Sequence, residues 1–374
     1  MAEQIGSESV RDTFDRVERR AVIDVGTNSV KLLVADAGRV LKPVLKLTLQ
    51  TALGQGSFRT GRLQPEAIAR TVDAVAGFAA EAAALGSVSI RVLATSVVRE
   101  TANRHELIQA IESATRLSVT VLSGEQEADY VFQGVTNDPL VGTHPVLIVD
   151  VGGGSTEWAV GESGFIYFRK STPLGTARLL ELHPPGDAPS RQALTRLRAT
   201  VSQFIQAEVT PSLGPVLRSF CGRPVRLVGL GGGLATLARL GPAPAGALSG
   251  KPQLLGREHL VQQVERLWHL PLQERRLLPG LEPQRAEVIL AGAVIHEAVL
   301  NQFDFNEILV SQHGLREGFL LFGPRQSGAA VGPALPQPSC ASPVEMAPGG
   351  WTAQGEREHP TSNTRRSTSK GQHR

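Results

Sequence analysis

Two stretches of this chain share one plan. Residues 20–34, RAVIDVGTNSVKLLV, and residues 146–160, VLIVDVGGGSTEWAV, each run as an apolar strand into an aspartate, turn through glycine and hydroxyl-bearing residues, and leave as a second apolar strand. Asp24 and Asp150 stand 126 positions apart. A hairpin repeated at that distance points to two related units facing one another across a cleft. In the second copy the β-branched and aliphatic run Val146 to Val149 reads as a buried strand. Gly152, Gly153 and Gly154 lack side chains, so the backbone there tolerates positive φ and lets a bulky anion approach its N–H groups. Ser155 and Thr156 add hydroxyl donors. Asp150 and Glu157 flank the turn, an arrangement suited to a phosphate chain with a hard cation between two carboxylates. A triple glycine alone is an ordinary tight turn; the first copy, with Asp24, Gly26, Thr27, Asn28 and Ser29, raises it above that. A third cluster, Gly229 and Gly231 to Gly233 in VRLVGLGGGLATLARL, leads a strand into a helix expected to begin near Leu234, a place where free N–H groups favour anions.

Composition narrows the class. With 374 residues, 41% hydrophobic and 20% charged, the chain has the material for two domains with real cores. Its two cysteines, Cys221 and Cys340, are too few for a disulfide framework, and the charged N-terminus lacks the apolar core of a secretion signal, so a reducing cytoplasm is the expected location. No apolar run approaches the length of a membrane span. The sequence pI near 9.1 is misleading. Residues 359–374 hold Arg365, Arg366, Lys370 and Arg374 and no acid, so they exceed the whole-chain charge of +3 and leave the remainder near −1. A neutral body argues against broad nucleic-acid binding.

Taken in order, residues 1–18 read as a mobile leader. Val40 to Leu49 reads as a third strand, Gln55 to Gly61 as a loop, and Pro65 to Leu85 as a helix with proline near its start. Ser89 to Ala94 is a strand, and Thr95 and Ser96 are suitable caps for a helix after it. Arg99, expected in that helix's first turn, is placed to meet an anion or to make a surface salt bridge. Ser118 to Leu122 is a short strand, and Ser123 starts a helix with capping-box spacing to Gln126. Helical periodicity sets Glu127 at one edge of that helix's apolar stripe and Glu125 at the other, without choosing which faces a cleft. Helices are expected at Leu174 to Leu182, Arg191 to Glu208, 256–270 and 283–302, a strand at Asn306 to Val310, and a last helix at Leu315 to Phe322. His296 reads as a core histidine with satisfied hydrogen bonds. Residues 325–374, dense in Pro, Gly, Ser, Thr and Gln, read as a disordered basic tail.

Five motifs in order, DVGTNS (Asp24 to Ser29), TSVVRE (Thr95 to Glu100), SGEQEA (Ser123 to Ala128), DVGGGSTE (Asp150 to Glu157) and SQHGLREG (Ser311 to Gly318), resemble those of the exopolyphosphatase and guanosine pentaphosphate phosphatase family, Ppx/GppA. The resemblance covers roughly residues 19–324. It implies an α/β fold of two ribonuclease-H-like domains, of the actin, sugar kinase and Hsp70 type, flanking a central cleft. Residues 19–124 with 313–324 would form one domain and 125–312 the other. It further implies that Glu127 is the general base for water and that a divalent cation, Mg²⁺ or another, sits at Asp150 and Glu157 with Asp24. The implied phosphate ligands are Gly26, Thr27, Asn28, Ser29 and Lys31 of the first hairpin, Gly152, Gly153, Gly154, Ser155 and Thr156 of the second, and Arg99 and Arg316. Two positions depart from the family: Gln126 replaces a frequent glutamate but can still cap, and Lys31 replaces a frequent arginine, losing the fork that grips two phosphate oxygens.

The resemblance implies a phosphohydrolase that releases the terminal phosphate of inorganic polyphosphate, of guanosine pentaphosphate (pppGpp), or of both. The expected partners are that substrate, weak polyanion contacts of the basic tail and a second copy in a homodimer, with no membrane. Two other classes fit the same fold: an ATP-dependent small-molecule kinase using the glycines at 229–233, and a nucleotide-switched chaperone or filament protein.

Overall fold

Strand pairing in the first half follows directly from the hairpin. The computed structural model describes residues 17–38, 40–139, 141, 144–186, 189–240 and 253–323; nearly all of the expected leader and the whole of the expected tail lie outside them. β1 (Glu18–Val25), β2 (Ser29–Ala37) and β3 (Leu41–Gln50) form an antiparallel meander, and β4 (Ser89–Ala94) and β5 (Val119–Val121) extend it in parallel on the other side of β1, giving the order β3-β2-β1-β4-β5. β1 and β2 are buried on both faces, which explains their nearly unbroken apolar sequence. β3 is the edge, half exposed, with Lys42, Pro43 and Lys46 on it and a bulge opposite Val34 and Ala35. Charge, proline and bulge are the ordinary means of blunting an edge.

The second half repeats the scheme. β6 (Val146–Val151), β7 (Thr156–Glu162) and β8 (Phe165–Thr172) form its meander; β9 (Arg226–Leu230), β10 (Gln253–Gly256) and β11 (Glu307–Val310) complete the order β10-β11-β9-β6-β7-β8. Apart from β10, added antiparallel at the edge, this is again third, second, first, fourth, fifth, the ribonuclease-H-like order. The repeat extends to single bonds: Gly26 N–H donates to Ser29 O at 3.1 Å, and Gly152 N–H to Ser155 O at 2.9 Å.

Helices cover both sheets. Pro65–Ala84 and Arg104–Thr115 pack on the first sheet, while Ile289–Phe303, buried almost all round, and Arg191–Glu208 pack on the second. Among the described residues, no helix is long and apolar enough to cross a membrane. Several expectations need adjustment. The loop at Gln55 to Gly61 contains one helical turn, Ser57–Thr60, between glycines with positive φ. The helix expected at 283–302 is a 3₁₀ turn, Pro283–Arg285, followed by Ile289–Phe303, and the helix expected from Leu234 starts at Gly232. Thr95 makes no side-chain cap, and the helix after it is short, Ser96–Glu100, so Arg99 lies in its last turn.

Helix Gly124–Thr136 carries the capping box read from the sequence: Ser123 N–H donates to Gln126 Oε1 at 2.8 Å and Gln126 N–H to Ser123 Oγ at 3.1 Å. Its Val131, Phe132 and Val135 join the core of the second sheet. Its other side crosses helix Leu315–Phe322, whose Phe319 and Leu320 pack with Val22, Leu33 and Leu93 of the first sheet. Gly134 and Gly318 meet at the crossing. A Cβ on Gly318 would overlap the Tyr130 carbonyl, and one on Gly134 the Gly314 carbonyl. Gly318→Ala is therefore expected to destabilise the protein by about 1–3 kcal/mol through overpacking, measured by urea unfolding. An unchanged midpoint would contradict this packing.

Candidate active site

The turns of both hairpins line one cleft of about 430 Å³. In the first sheet Asp24 lies opposite Lys31, and Lys31 opposite Thr48; at the equivalent places in the second, Asp150 lies opposite Glu157, and Glu157 opposite Ser171. Cross-strand neighbours share a face, so each row points one way. Asp24, Lys31 and Thr48 line the cleft from one side, and Asp150 and Glu157 from the other. Glu127 reaches the same space from the first turn of helix Gly124–Thr136. Glu125 points outward, pairing with Arg169 at 3.3 Å with its side chain 68% exposed. The periodicity left these two acids equivalent; the packing of the helix separates them.

Glycine lets the two turns interlock. A Cβ on Gly153 would come within 2.9 Å of Thr27 Cβ, and one on Gly154 within 2.6 Å of Ser96 Oγ. In each hairpin the chain beyond the third strand draws the turn's carbonyls outward. Gly54 N–H donates to Thr27 O at 2.8 Å, and Thr51 and Ala52 N–H to Asn28 O at 3.1 and 3.0 Å. Thr176 N–H donates to Gly152 O at 3.0 Å, and Ala177 N–H to Gly153 O at 2.9 Å. A trans peptide directs its N–H opposite to its C=O. The amides of Asn28 and Ser29 on one side, and of Gly153 and Gly154 on the other, are thereby turned from the flanking chain, and all four residues line the cleft. Such runs of directed amides make anion-binding concavities.

Burial dominates the electrostatics. It holds the Glu127 carboxyl well above the usual carboxylate range; the charge of Glu157 raises it further, and Arg99 opposes the rise. Burial likewise pushes Glu157 up to about 7, with Asp150 adding to the rise and hydrogen bonds from Ser155 and Ser171 opposing it. Asp150 is raised by burial, with Lys31 opposing and Asp24 adding. These acids are therefore short of positive charge, and Asp24 Oδ1 is buried without a hydrogen-bond partner. An orphaned oxygen beside carboxylates fits a hard cation. Among the described residues, no three His, Cys, Asp or Glu side chains group closely enough to hold a metal by themselves.

Of the expected site residues, Asp24, Gly26, Thr27, Asn28, Ser29, Lys31, Glu127, Asp150, Gly152, Gly153, Gly154, Ser155, Glu157 and Arg316 all line this one cleft. Two do not. Thr156 is wholly buried and donates its hydroxyl to the Leu174 carbonyl, so it is spent on holding the turn. Arg99 is ion-paired to Glu127 and donates to Leu122 O at 2.7 Å; it stands behind the acid, away from the cleft wall. Arg316 donates to Leu32 O at 3.1 Å through one nitrogen. His296 is not fully satisfied as expected: Nδ1 meets Gly292 O at 2.7 Å, but Nε2 is buried without a partner. Lys46, Thr48, Ser96 and Thr176 line the cleft and were missed. The alternation of β3 is the sequence signal that places Lys46 and Thr48 on the face shared with Lys31.

The comparisons with known proteins agree with this geometry. The family model described as the Ppx/GppA phosphatase family matches residues 31–322. The chain belongs to the Ppx/GppA phosphatase family. A relative named Exopolyphosphatase 2, from Mycobacterium tuberculosis, is 31% identical over 327 residues, covering 81% of this chain and 98% of the relative. Among solved structures, an exopolyphosphatase from Cytophaga hutchinsonii superposes with a TM-score of 0.73 at 27% identity, over 81% of this chain and 96% of that one. The Aquifex aeolicus PPX-GPPA enzyme gives a TM-score of 0.64 at 29% identity, over 82% and 99%. For this Ppx/GppA member the buried acids carry a pH signature. With cations chelated, the raised pKa of Glu157 contributes stability that is fully present below its ordinary value of 4.5 and is lost as pH rises through about 7. Urea unfolding of the chelated protein is expected to show falling stability across that window, with Glu157→Gln flattening the fall. A rise over the same window would contradict it.

Proposed function

We propose that the protein hydrolyses the terminal phosphoanhydride bond of inorganic polyphosphate, with guanosine pentaphosphate as a second substrate presenting the same terminus. The observation that carries this reading is the convergence of both amide-lined hairpins and Glu127 on one cleft. Names of relatives alone would not assign the roles below.

The terminal phosphoryl group lies between the hairpins, its oxygens taken by the amides of Asn28, Ser29, Gly153 and Gly154 and by Lys31 and Arg316. Asp150 and Glu157, with Asp24 beside them, would hold Mg²⁺ together with water and substrate phosphate, and the cation would neutralise charge on the phosphoryl oxygens. Glu127 accepts a proton from water as the water oxygen forms its bond to phosphorus; the bond to the bridging oxygen breaks, leaving orthophosphate and a chain one unit shorter. A carboxylate raised by burial is a stronger base, and Arg99 orients it and opposes the rise. A cytoplasmic location belongs to the same proposal.

The test is phosphate release from polyphosphate, pppGpp and ATP, side by side, with and without Mg²⁺. Release from polyphosphate that needs Mg²⁺ is the expected result. Transfer from ATP to a small acceptor, with no release from polyphosphate, would favour a kinase. Glu127→Gln should lower kcat by about 10²-fold or more with KM little changed, since general-base help is typically worth about 10²- to 10⁴-fold. Near-normal turnover in that variant would remove Glu127 from the role.

A further inference from the structure

One carbonyl of the second hairpin is held differently from the others. Gly152 O and Gly153 O accept from the backbone N–H groups of Thr176, Ala177 and Arg178. Gly154 O accepts from a side chain: Arg178 Nε, at 2.8 Å. The first hairpin needs no such help, because Thr51, Ala52 and Gly54 satisfy Asn28 O and Thr27 O through backbone alone. Arg178 is thus what completes in the second turn the outward pull on its carbonyls. No peptide among the described residues is cis, so fixing Gly154 O toward Arg178 directs Ser155 N–H the opposite way. Ser155 is buried and lines the cleft.

The guanidinium has two other partners, both from the opposite half. Its Nη2 donates to Glu100 Oε2, whose second oxygen accepts from Ser96 Oγ at 2.8 Å, and its carbon lies 4.4 Å from the centroid of the Phe58 ring. The side chain is 17% exposed. An arginine fork held by a carboxylate and an aromatic face has one orientation available, and lysine cannot reproduce it. Gly154 itself packs against Ser96 and Thr27, so the peptide that Arg178 fixes lies at the seam between the halves.

We infer that Arg178 is a positioning residue for phosphate transfer to water: its guanidinium, braced on Glu100 and Phe58, locks the Gly154–Ser155 peptide so that Ser155 N–H faces the reacting phosphoryl group. The inference rests on the phosphohydrolase reading of this cleft. Without Arg178 the peptide is free to rotate and one preorganised donor is lost. Loss of a single such donor typically costs about 10²- to 10³-fold in turnover.

The experiment uses the full chain with Mg²⁺ and polyphosphate, comparing wild type with Arg178→Ala, Arg178→Lys and Glu100→Gln. Arg178→Ala should lose about 10²-fold in kcat with a smaller change in KM. Added guanidinium ion at non-denaturing concentration should restore part of the loss, and ammonium should not. Arg178→Lys should remain defective, and Glu100→Gln should show a weaker defect in the same direction. A purely structural role would lower the melting midpoint without rescue by guanidinium; that result, or near-normal kcat in Arg178→Ala, overturns the inference. Binding of tripolyphosphate, followed by calorimetry, separates the two readings. If wild type releases no phosphate from polyphosphate, the hydrolase reading falls. The role of Arg178 is then decided by the titration: binding about tenfold weaker in Arg178→Ala, restored by guanidinium, supports it, and equal binding overturns it.

Discussion

Asp24, Glu127 and Glu157 are buried around one cleft with Asp150 half-buried beside them, and most of the surrounding structure responds to that fact. Burying a charge is costly unless it is paired or its proton is retained. Asp150 and Glu157 lie directly opposite one another on neighbouring strands, where like charges repel. The raised pKa values of Glu127, Asp150 and Glu157 record the shortage of compensation. Lys31, Arg316 and Arg99 supply part of it. Under the proposed function a cation and the substrate would supply the rest.

The two hairpins bring the complementary element. Their acids attract cations while their amides attract anions, and the two demands are reconciled by geometry. The aspartates stand at strand ends, whereas the amides stand at the turns, where the carbonyls are tied outward by the chain following β3 and β8. In the proposed function a metal-bound phosphate chain would satisfy both at once, its cation meeting the carboxylates and its oxygens the amides. The seam between the halves runs through the same atoms: Gly153 and Gly154 touch Thr27 and Ser96.

Much of this was legible in the sequence because it is local. The spacing of Asp24 and Asp150, the strand runs on either side and the capping box at Ser123 all report interactions within a few residues, and each appears as read. What was illegible depends on distant partners. Thr156 looks like a phosphate ligand in DVGGGSTE, but its hydroxyl is claimed by Leu174, eighteen residues on. Arg99 reads as an anion ligand or as half of a surface salt bridge, and its partner is known only when the start of helix Gly124–Thr136 brings Glu127 against it. Periodicity left Glu127 and Glu125 equivalent and only the resemblance pointed to Glu127, which packing sets on the cleft while Glu125 stays exposed; Arg178 acquires meaning only when Glu100 and Phe58 arrive from the other half. His296, half satisfied, is a tertiary outcome that periodicity could not contain.

The most direct measurement is a crystal structure with Mg²⁺ and vanadate, a mimic of the phosphoryl group in transfer. The account predicts vanadate between the hairpins, within hydrogen-bond distance of the amides of Asn28, Ser29, Gly153 and Gly154, with Mg²⁺ on Asp150 and an axial oxygen beside Glu127. Vanadate bound elsewhere in the cleft, with the two turns empty, would contradict it.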